Sequence, residues 1–226
     1  MEPIADPPLP RTIDDITPEW LTSALATGGV LTGALVTSVE IERIGLMDGF
    51  MGVIARLTPQ YDAPTDDLPS TLIAKLPDAD PVQRSAQSSA FTTEAGYYST
   101  FPGDDSTVHP RCYFVGSDPN GDDYAFLIED LSNGRSASMI RHMPLNDAAT
   151  VFRTLAGLHA KRWNASQLDR LSWAVDGRTR EAWAPAQELY EATWDEFSDK
   201  WGGYFSTEIF EIAERLKTSI VDVLTV

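Results

Sequence analysis

The amino-acid sequence predicts an α+β protein, because strand-like and helical patterns occupy different parts of the chain. Short apolar runs rich in β-branched residues occur before residue 130, where one long helical pattern interrupts them, and helical spacing prevails after it. Of the 226 residues, 42% are hydrophobic, which is sufficient for a buried core. We expect a five-stranded antiparallel sheet with one long helix, followed by a set of helices.

The first residues of the chain are rich in proline. The segment from Pro3 to Pro10 predicts an extended arm, which we assign to residues 1–16. Thr17-Pro18-Glu19 then predicts the start of a helix, because threonine is a favoured N-cap, proline fits the first turn and an acidic side chain suits the positive end of the helix dipole. Gly28-Gly29 predicts the end of that helix.

Three strands and a long helix are predicted next. Residues 36–44 and 53–57 are β-branched or apolar runs joined by a glycine-containing loop. A third strand is predicted at residues 71–76, after an acidic, proline-bearing connector at residues 61–69. From residue 81 to about residue 101, apolar side chains recur at intervals of three and four, which predicts a helix lying across the sheet.

The last two strands are predicted to form a hairpin. They are the apolar runs at residues 111–115 and 124–129, and Asn120-Gly121 between them is a strong turn signal. We therefore place the end of a first lobe, residues 17–128, at the end of the fifth strand.

Helices are predicted throughout the second lobe, residues 129–226. Apolar spacing marks one helix near residues 151–162, another at 181–200 and a third from residue 206 to Val226. The third helix reaches the last residue without a glycine cap, so we expect the chain to be the N-terminal part of a longer protein. An apolar stripe without its packing partners would favour aggregation.

Charge and composition exclude several classes of function. Seventeen lysines and arginines against 34 acidic residues leave a formal net charge of -17, which repels nucleic-acid phosphates. A nucleic-acid partner is therefore not expected, although a single nucleotide needs only local amides and a few cations. The single cysteine, Cys112, excludes an internal disulfide, and no apolar stretch is long enough for a membrane span. We predict a cytoplasmic protein with no membrane partner.

A glycine-rich loop separates the first two predicted strands. Gly45, Gly49 and Gly52 lie within eight residues, so the backbone there could approach a phosphate chain and present its amides to it. Taken alone, the loop is better explained as an ordinary hairpin, because glycines are common in such turns.

Lys75 lies in the middle of the apolar third strand. A buried ammonium without an anionic partner would cost several kcal/mol. Glu94 on the next helix lies on the same side as Phe91 and Tyr98, from where its carboxylate could reach Lys75. A lysine on a strand after a glycine loop, paired with a glutamate on the following helix, is how protein-kinase-type folds hold the α and β phosphates. The alternative is an edge-strand lysine whose ammonium is in solvent.

The fifth strand ends in the sequence FLIEDL, residues 126–131. Exposed backbone groups at Glu129, Asp130 and Leu131 could read the edge of an adenine, while Ile73, two residues before Lys75, packs on its face. We call residues 129–131 the hinge. An ordinary strand that ends in an acidic turn explains the segment equally well when it is considered alone.

These motifs in this order resemble a known family. The segments IGLMDGFMG, LIAKLP, EAGYY, RCYFV, FLIEDL and LAGLHAKRW are similar to those of the ecdysteroid kinase-like branch of the aminoglycoside phosphotransferase and choline kinase superfamily, over about residues 15–226. The resemblance implies a protein-kinase-like fold with a five-stranded N-lobe and a partial helical C-lobe. It also implies ATP or GTP with Mg²⁺, and transfer of the γ-phosphoryl group to a hydroxyl on an unknown small-molecule acceptor.

The resemblance assigns roles to the candidate residues. It implies that Lys75 contacts the phosphates, that Glu94 forms the ion pair, and that the hinge holds the base. It places Gly45, Gly49 and Gly52 in the phosphate loop.

One departure from the family concerns catalysis. Members carry a His-Gly-Asp type loop, an asparagine about five residues later and a metal-binding aspartate, because the acceptor hydroxyl needs a base and Mg²⁺ needs oxygen ligands. The three histidines here, His109, His142 and His159, are followed by proline, methionine and alanine. We interpret His109 as a loop residue and His159 as a hydrogen-bonded core histidine of its helix. No residue of this chain is assigned to catalysis or to metal binding.

Three hypotheses follow. The first is that the chain is the N-terminal part of an ATP-dependent small-molecule phosphotransferase, inactive by itself. The alternative is a non-catalytic nucleotide-binding or interaction module, comparable to a pseudokinase. The third is an acidic α+β protein in which Lys75 and Glu94 form a purely structural pair, which nucleotide affinity of a Lys75→Met variant would test.

Overall fold

The computed structural model of the protein describes residues 7–45, 52–64, 67–101, 109–118, 123–134 and 143–225. Contacts divide the chain into two compact units, residues 1–173 and 174–226. The first unit contains a five-stranded antiparallel sheet together with helices, and the described part of the second contains helices only. The predicted α+β class is therefore confirmed, whereas the lobe boundary at residue 128 stays a prediction.

The sheet contains all five strands that the sequence predicts. Its strands are β1 (Val36–Ile44), β2 (Val53–Tyr61), β3 (Leu72–Leu76), β4 (Cys112–Ser117) and β5 (Tyr124–Glu129), in the order β1-β2-β3-β5-β4. Neighbouring strands are antiparallel throughout, and β4 and β5 pair as predicted. The predicted Asn120-Gly121 turn lies outside the described residues.

Two described α-helices precede the end of the sheet at residue 129. They are α1 (Pro18–Thr27), before β1, and α2 (Pro81–Thr100), between β3 and β4. Thr17 is the predicted N-cap of α1, and its hydroxyl accepts the amide hydrogen of Trp20. Gly28 caps the C-terminus of α1, and Gly29 has a φ of 70°, a left-handed conformation that glycine adopts without strain. The predicted bounds of both helices are confirmed.

The two faces of the sheet are covered differently. One face packs on α1 and forms the main core, with large side chains that are less than a tenth exposed: Trp20, Leu21, Leu25, Leu57, Leu72, Leu76 and Leu127. The other face packs on α2 through Phe91, Ala95 and Tyr98, which form a second cluster with Tyr124 and Phe126. Alternation along the strands explains the division, because successive side chains point to opposite faces.

The described part of the proline-rich arm packs on the rest of the first unit. Pro7 and Pro10 are buried, and the indole Nε1 of Trp20 donates a 2.7 Å hydrogen bond to the carbonyl of Pro8. A short 3₁₀ turn, Ile13–Asp15, leads into α1. The described part of the arm is thus tied to the same core that α1 covers.

Four helices follow the sheet: α3 (Leu145–Arg162), α4 (Arg180–Trp201), α5 (Thr207–Leu216) and α6 (Ile220–Leu224). The prediction of one continuous helix from residue 206 to the end is wrong, because residues 217–219 interrupt it. The side chain of Gln187 on α4 stabilises the break, since its Oε1 accepts the amide hydrogen of Ile220 at 2.8 Å and its Nε2 donates to the carbonyl of Lys217.

The interpretation of His159 as a core residue is also wrong. His159 is exposed, and no residue of α3 is buried among the described residues. Leu145 and Phe152 are 87% and 70% exposed, so the periodicity that marks α3 as amphipathic does not correspond to a packed face here.

Candidate functional site

The candidate site is centred on Lys75, which projects from β3 toward α2. Its Nζ donates a hydrogen bond to Glu94 Oε2 at 2.6 Å, and the side chains of the two residues are 19% and 28% exposed. The predicted contact between them is confirmed. Both side chains are mostly buried but remain partly accessible to solvent. The pair is therefore intermediate between an exposed surface ion pair and a fully buried one.

Aromatic rings lie next to the Lys75 ammonium. Its nitrogen is 4.9 Å from the ring centre of Phe91 and 6.0 Å from that of Phe126. Both distances permit cation–π attraction between the ammonium and the rings. Phe91 in turn stacks on Tyr124 with a centroid distance of 3.6 Å.

This aromatic support was not predicted from the sequence. Phe126 is opposite Lys75 only because β3 pairs with β5 in this register, a long-range pairing that spacing does not reveal. The sequence places Phe91 on the same side of the helix as Glu94, but spacing alone does not show that its ring lies next to the Lys75 ammonium.

The glycine loop is described only at its ends. Gly45 and Gly52 have φ values of 72° and 74°, so both use the left-handed conformation that favours glycine. A Cβ at Gly52 would be 2.4 Å from the Leu76 carbonyl oxygen and 2.7 Å from the Tyr124 hydroxyl. Close packing thus requires glycine at 52 whether or not a phosphate binds, and Gly49 lies outside the described residues.

Ile73 lies on the same sheet face as Lys75 and is half-buried. It pairs with Arg56 of β2 on one side and with Ile128 of β5 on the other. A planar apolar group could contact Ile73 and Ile128 in this position, which is where the sequence predicts that an adenine would bind.

Side-chain contacts fix the hinge at its first two residues. Glu129 accepts the amide hydrogen of Arg111 at 3.1 Å through Oε2 and donates its own amide hydrogen to the Arg111 carbonyl. The Asp130 side chain is only 3% exposed and accepts hydrogen bonds from Arg56 Nε and from the Ser132 amide, each at 2.9 Å. The Asp130 carboxylate therefore has a structural role.

Leu131 differs from its two neighbours, because it is 54% exposed. Its carbonyl accepts the amide hydrogen of Gly134, and among the described residues its own amide donates no hydrogen bond. Of the three hinge residues, Leu131 thus has the backbone donor best suited to a ligand.

The electrostatics of Asp130 follow from its contacts. Burial by itself raises the pKa of this carboxyl group, but the hydrogen bonds from Ser132 and the Arg56 guanidinium outweigh burial and hold the pKa below its ordinary value. Arg56 also contacts Glu42 at 2.9 Å, a carboxylate that is 64% exposed. One guanidinium therefore bridges a buried and an exposed acid.

The histidines do not form a catalytic arrangement within the described residues. His109 is half-buried and its ring packs edge-on against Tyr97, with ring centres 5.4 Å apart. His159 is exposed, and His142 lies outside the described residues. No group of three or more His, Cys, Asp or Glu side chains that could hold a metal ion occurs in the described part of the chain.

The second unit contains an apolar cavity of about 390 Å³. Tyr190, Trp194, Phe197 and Phe210 contribute to its lining, and the rings of Tyr190 and Trp194 stack at 5.3 Å. Trp194 is 4% exposed and its Nε1 donates to Glu214, so this tryptophan serves packing, as is typical of tryptophans in helices.

Comparisons with known proteins give no match: no family model matches the chain, and neither the curated proteins nor the solved structures include one that is significantly similar. None of the described helices is long and apolar enough to cross a bilayer. A function for the chain must consequently be inferred from the residues around Lys75.

Proposed function

We propose that residues 17–128 bind the phosphates of ATP or GTP on the sheet face that carries Lys75. In this proposal the chain is the N-terminal part of an ATP-dependent phosphotransferase with a protein-kinase-like fold, whose acceptor is a hydroxyl on a small molecule. Residues 1–226 by themselves would bind the nucleotide without transferring its phosphate.

One observation carries the proposal: a mostly buried ammonium on a central strand is held by a glutamate of the next helix at 2.6 Å. An ammonium has three donors, and among the described residues Glu94 is the only hydrogen-bonding partner of Lys75. Two donors are therefore available to phosphate oxygens. The carboxylate of Glu94 and the ring of Phe91 restrict the Lys75 side chain. Less side-chain conformational entropy is therefore lost when a ligand binds.

The surroundings of Lys75 support a nucleotide over a simple anion. Ile73 and Ile128 offer an apolar surface on the same sheet face, and the amide of Leu131 lies just after the end of β5. A base that stacks on the isoleucines and accepts this amide hydrogen would bring its phosphates toward Lys75 and Gly52. Apolar surface combined with a few polar groups is typical of cofactor sites.

The described residues do not fit a protein-held Mg²⁺ site. Glu94 is engaged by Lys75, and the described part of the chain contains no cluster of three possible metal ligands. Mg²⁺ would therefore bind mainly through the phosphates of the nucleotide, as it does in many nucleotide sites. We assign no step of a reaction to the metal.

A non-catalytic nucleotide-binding or interaction module is the second candidate. The observation that favours it is that none of the three histidines precedes a glycine and an aspartate. Both candidates share nucleotide binding at Lys75, so the same measurement tests their common basis.

The test is the affinity of the purified chain for MgATP and MgGTP by isothermal titration calorimetry. Lys75→Met keeps an unbranched side chain of similar length but removes the positive charge. We expect its affinity to fall by roughly tenfold or more, because a hydrogen bond to a charged group contributes about 1.5–3 kcal/mol. Glu94→Gln should weaken binding less, since the ammonium remains but its position is less restricted.

Lys161→Met is the matched control, because it removes the same charge from an exposed position on α3. Its affinity should equal that of the unmodified chain. Failure of the unmodified chain to bind either nucleotide, or equal affinities of the Lys75→Met and Lys161→Met proteins, would show that Lys75 and Glu94 form a purely structural pair.

A further inference from the structure

The face of α2 that points away from the sheet makes a contact that does not involve the residues of the candidate site. The helix turns by about 100° per residue, so Phe91, Ala95 and Tyr98 face the sheet while Thr93, Gly96 and Thr100 lie on the opposite side. The second side contacts the segment that begins at the last residue of α3 and continues to Trp173. We call this segment, residues 162–173, the clasp.

Trp173 makes the closest contact of the clasp with α2. A Cβ at Gly96 would lie 2.2 Å from Cγ of Trp173, so the indole rests directly on the helix backbone. The indole Nε1 donates to Thr100 Oγ1 at 3.0 Å, and the Thr93 hydroxyl shares its hydrogen between the Trp173 carbonyl at 3.2 Å and the Ser89 carbonyl of its own helix at 3.0 Å. Contacts with three successive turns of the same helix face fix both the position and the rotation of α2.

The other end of the clasp holds the C-terminus of α2. Phe101 caps this helix, and the guanidinium of Arg162 lies 4.1 Å from the centre of its ring. Trp173 meets the same ring edge-on, with centroids 6.3 Å apart. Phe101 is therefore held between the two ends of the clasp.

The clasp explains why a glycine, Gly96, lies in the middle of α2. Glycine in the middle of a helix is destabilising relative to alanine because it has more conformational freedom to lose. At Gly96 any side chain would displace the indole, whereas a Cβ at Gly157 in α3 would have no atom within 4 Å among the described residues. Gly96 is thus the residue that lets Trp173 approach α2.

We propose that Trp173 and Gly96 are positioning residues for the candidate phosphate site: docking of the clasp on the back of α2 holds Glu94 within hydrogen-bonding distance of Lys75. Glu94 lies two residues before Gly96, so a shift or rotation of α2 at Gly96 moves its carboxylate. The role in nucleotide binding rests on the proposed function above. The effect on the Lys75–Glu94 pair does not, because the pair is present without a ligand.

The test measures this pair directly through the acetylation rate of each of the four lysines by an N-hydroxysuccinimide ester, with peptide mass spectrometry under native conditions. Glu94→Gln gives the rate at Lys75 without the ion pair. We expect Trp173→Ala and Gly96→Ala each to raise that rate by roughly fivefold, the factor expected for loss of one partly exposed ion pair. Trp173→Phe, which keeps a ring but lacks the donor to Thr100, should give a smaller increase.

Three controls separate positioning from general destabilisation. Trp163→Ala removes a 74% exposed tryptophan, and Gly157→Ala places a methyl group in open space, so neither should alter the rate at Lys75. Leu25→Ala destabilises the core on the opposite sheet face, and the rate at Lys75 in its folded form should also be unchanged. Gly96→Ala should lower stability in the unmodified chain but raise it when combined with Trp173→Ala.

An unchanged acetylation rate at Lys75 in folded Trp173→Ala and Gly96→Ala proteins would overturn the proposal and leave the clasp a purely structural contact. A rate increase shared by Leu25→Ala would overturn it too. If the unmodified chain binds no nucleotide, the proposed function fails, but the acetylation rates still decide whether the clasp positions Glu94.

Discussion

At the residue scale, Arg56 forms two ion pairs, with Asp130 and with Glu42, that differ in burial. The same guanidinium contacts Asp130 and Glu42 at 2.9 Å, but the Asp130 side chain is almost fully buried and that of Glu42 is mostly in solvent. Solvent screening weakens the exposed contact, whereas removal of the buried partner leaves hydrogen-bond donors unsatisfied. The two carboxylates should therefore contribute very differently to stability.

We expect Asp130→Asn to lower the free energy of unfolding at pH 7 by about 1–3 kcal/mol, because charged hydrogen bonds are lost in a buried place. Glu42→Gln should change it by less than about 1 kcal/mol. Urea unfolding followed by circular dichroism measures both. Equal effects of the two substitutions would contradict the structural role of Asp130.

The lowered pKa of Asp130 also predicts a pH dependence. A group whose pKa is depressed by folding stabilises the protein above its unfolded-state pKa, about 3.9 for aspartate, and that contribution disappears as the pH falls through the lower folded-state pKa. The stability difference between the unmodified chain and Asp130→Asn should accordingly be full above about pH 5 and shrink below about pH 4. A constant difference from pH 7 to pH 3 would argue against this assignment.

At the scale of elements, the break between α5 and α6 depends on a side chain from α4. Gln187 accepts the amide hydrogens of Ile220 and Val221, which are among the first unsatisfied donors of α6, and donates to the carbonyl of Lys217. A helix as short as α6 is not stable by itself. The Gln187 side chain therefore fixes the residue at which α6 begins.

Gln187→Ala should destabilise α6 locally while leaving α4 intact. We expect faster hydrogen exchange at the amides of Ile220 and Val221, by roughly five- to tenfold, because loss of a helix cap costs about 1 kcal/mol. Glu188→Ala changes an exposed neighbour on the same helix and serves as the control. Unchanged exchange at both amides would mean that α6 is held by its packing alone.

At the scale of the whole molecule, the single cysteine offers a probe of opening of the first unit. Cys112 packs beside the cluster between α2 and the sheet, and burial raises the pKa of its thiol to about 12. The thiolate, which is the reactive form, is thus almost absent at neutral pH.

Alkylation of Cys112 by iodoacetamide should be negligible in the native protein at pH 7.5 and rapid in urea. Its rate across a urea series should follow the unfolding transition seen by circular dichroism, because unfolding fully exposes this half-buried thiol and removes the burial that raises its pKa. Rapid alkylation in native buffer would show that this cluster opens without global unfolding.

How much of the molecule could be predicted from the sequence depends on the range of the interactions. The bounds of β3 and α2, and the contact between Lys75 and Glu94, follow from local periodicity and from the cost of a buried charge. The neighbouring position of β5 beside β3 could not be predicted, because strand pairing over more than fifty residues has no local signal.

The errors have the same origin. Periodicity predicts an inward face for His159 on α3, but which face is buried depends on partners elsewhere in the chain. The break after α5 depends on Gln187, about thirty residues earlier, and the clasp depends on a glycine and a tryptophan separated by 77 positions. Patterns within one segment contain no information about such contacts.

The bridge made by Arg56 has a mechanical consequence. Its guanidinium connects β1 through Glu42 with the end of β5 through Asp130, and its own strand, β2, begins just after Gly52. Arg56 therefore links the chain just after β5 to β2, across the intervening strand β3. If a base displaces the chain near Asp130, the displacement is therefore carried to β2 chiefly through the buried Arg56–Asp130 contact, because the exposed contact with Glu42 is weak.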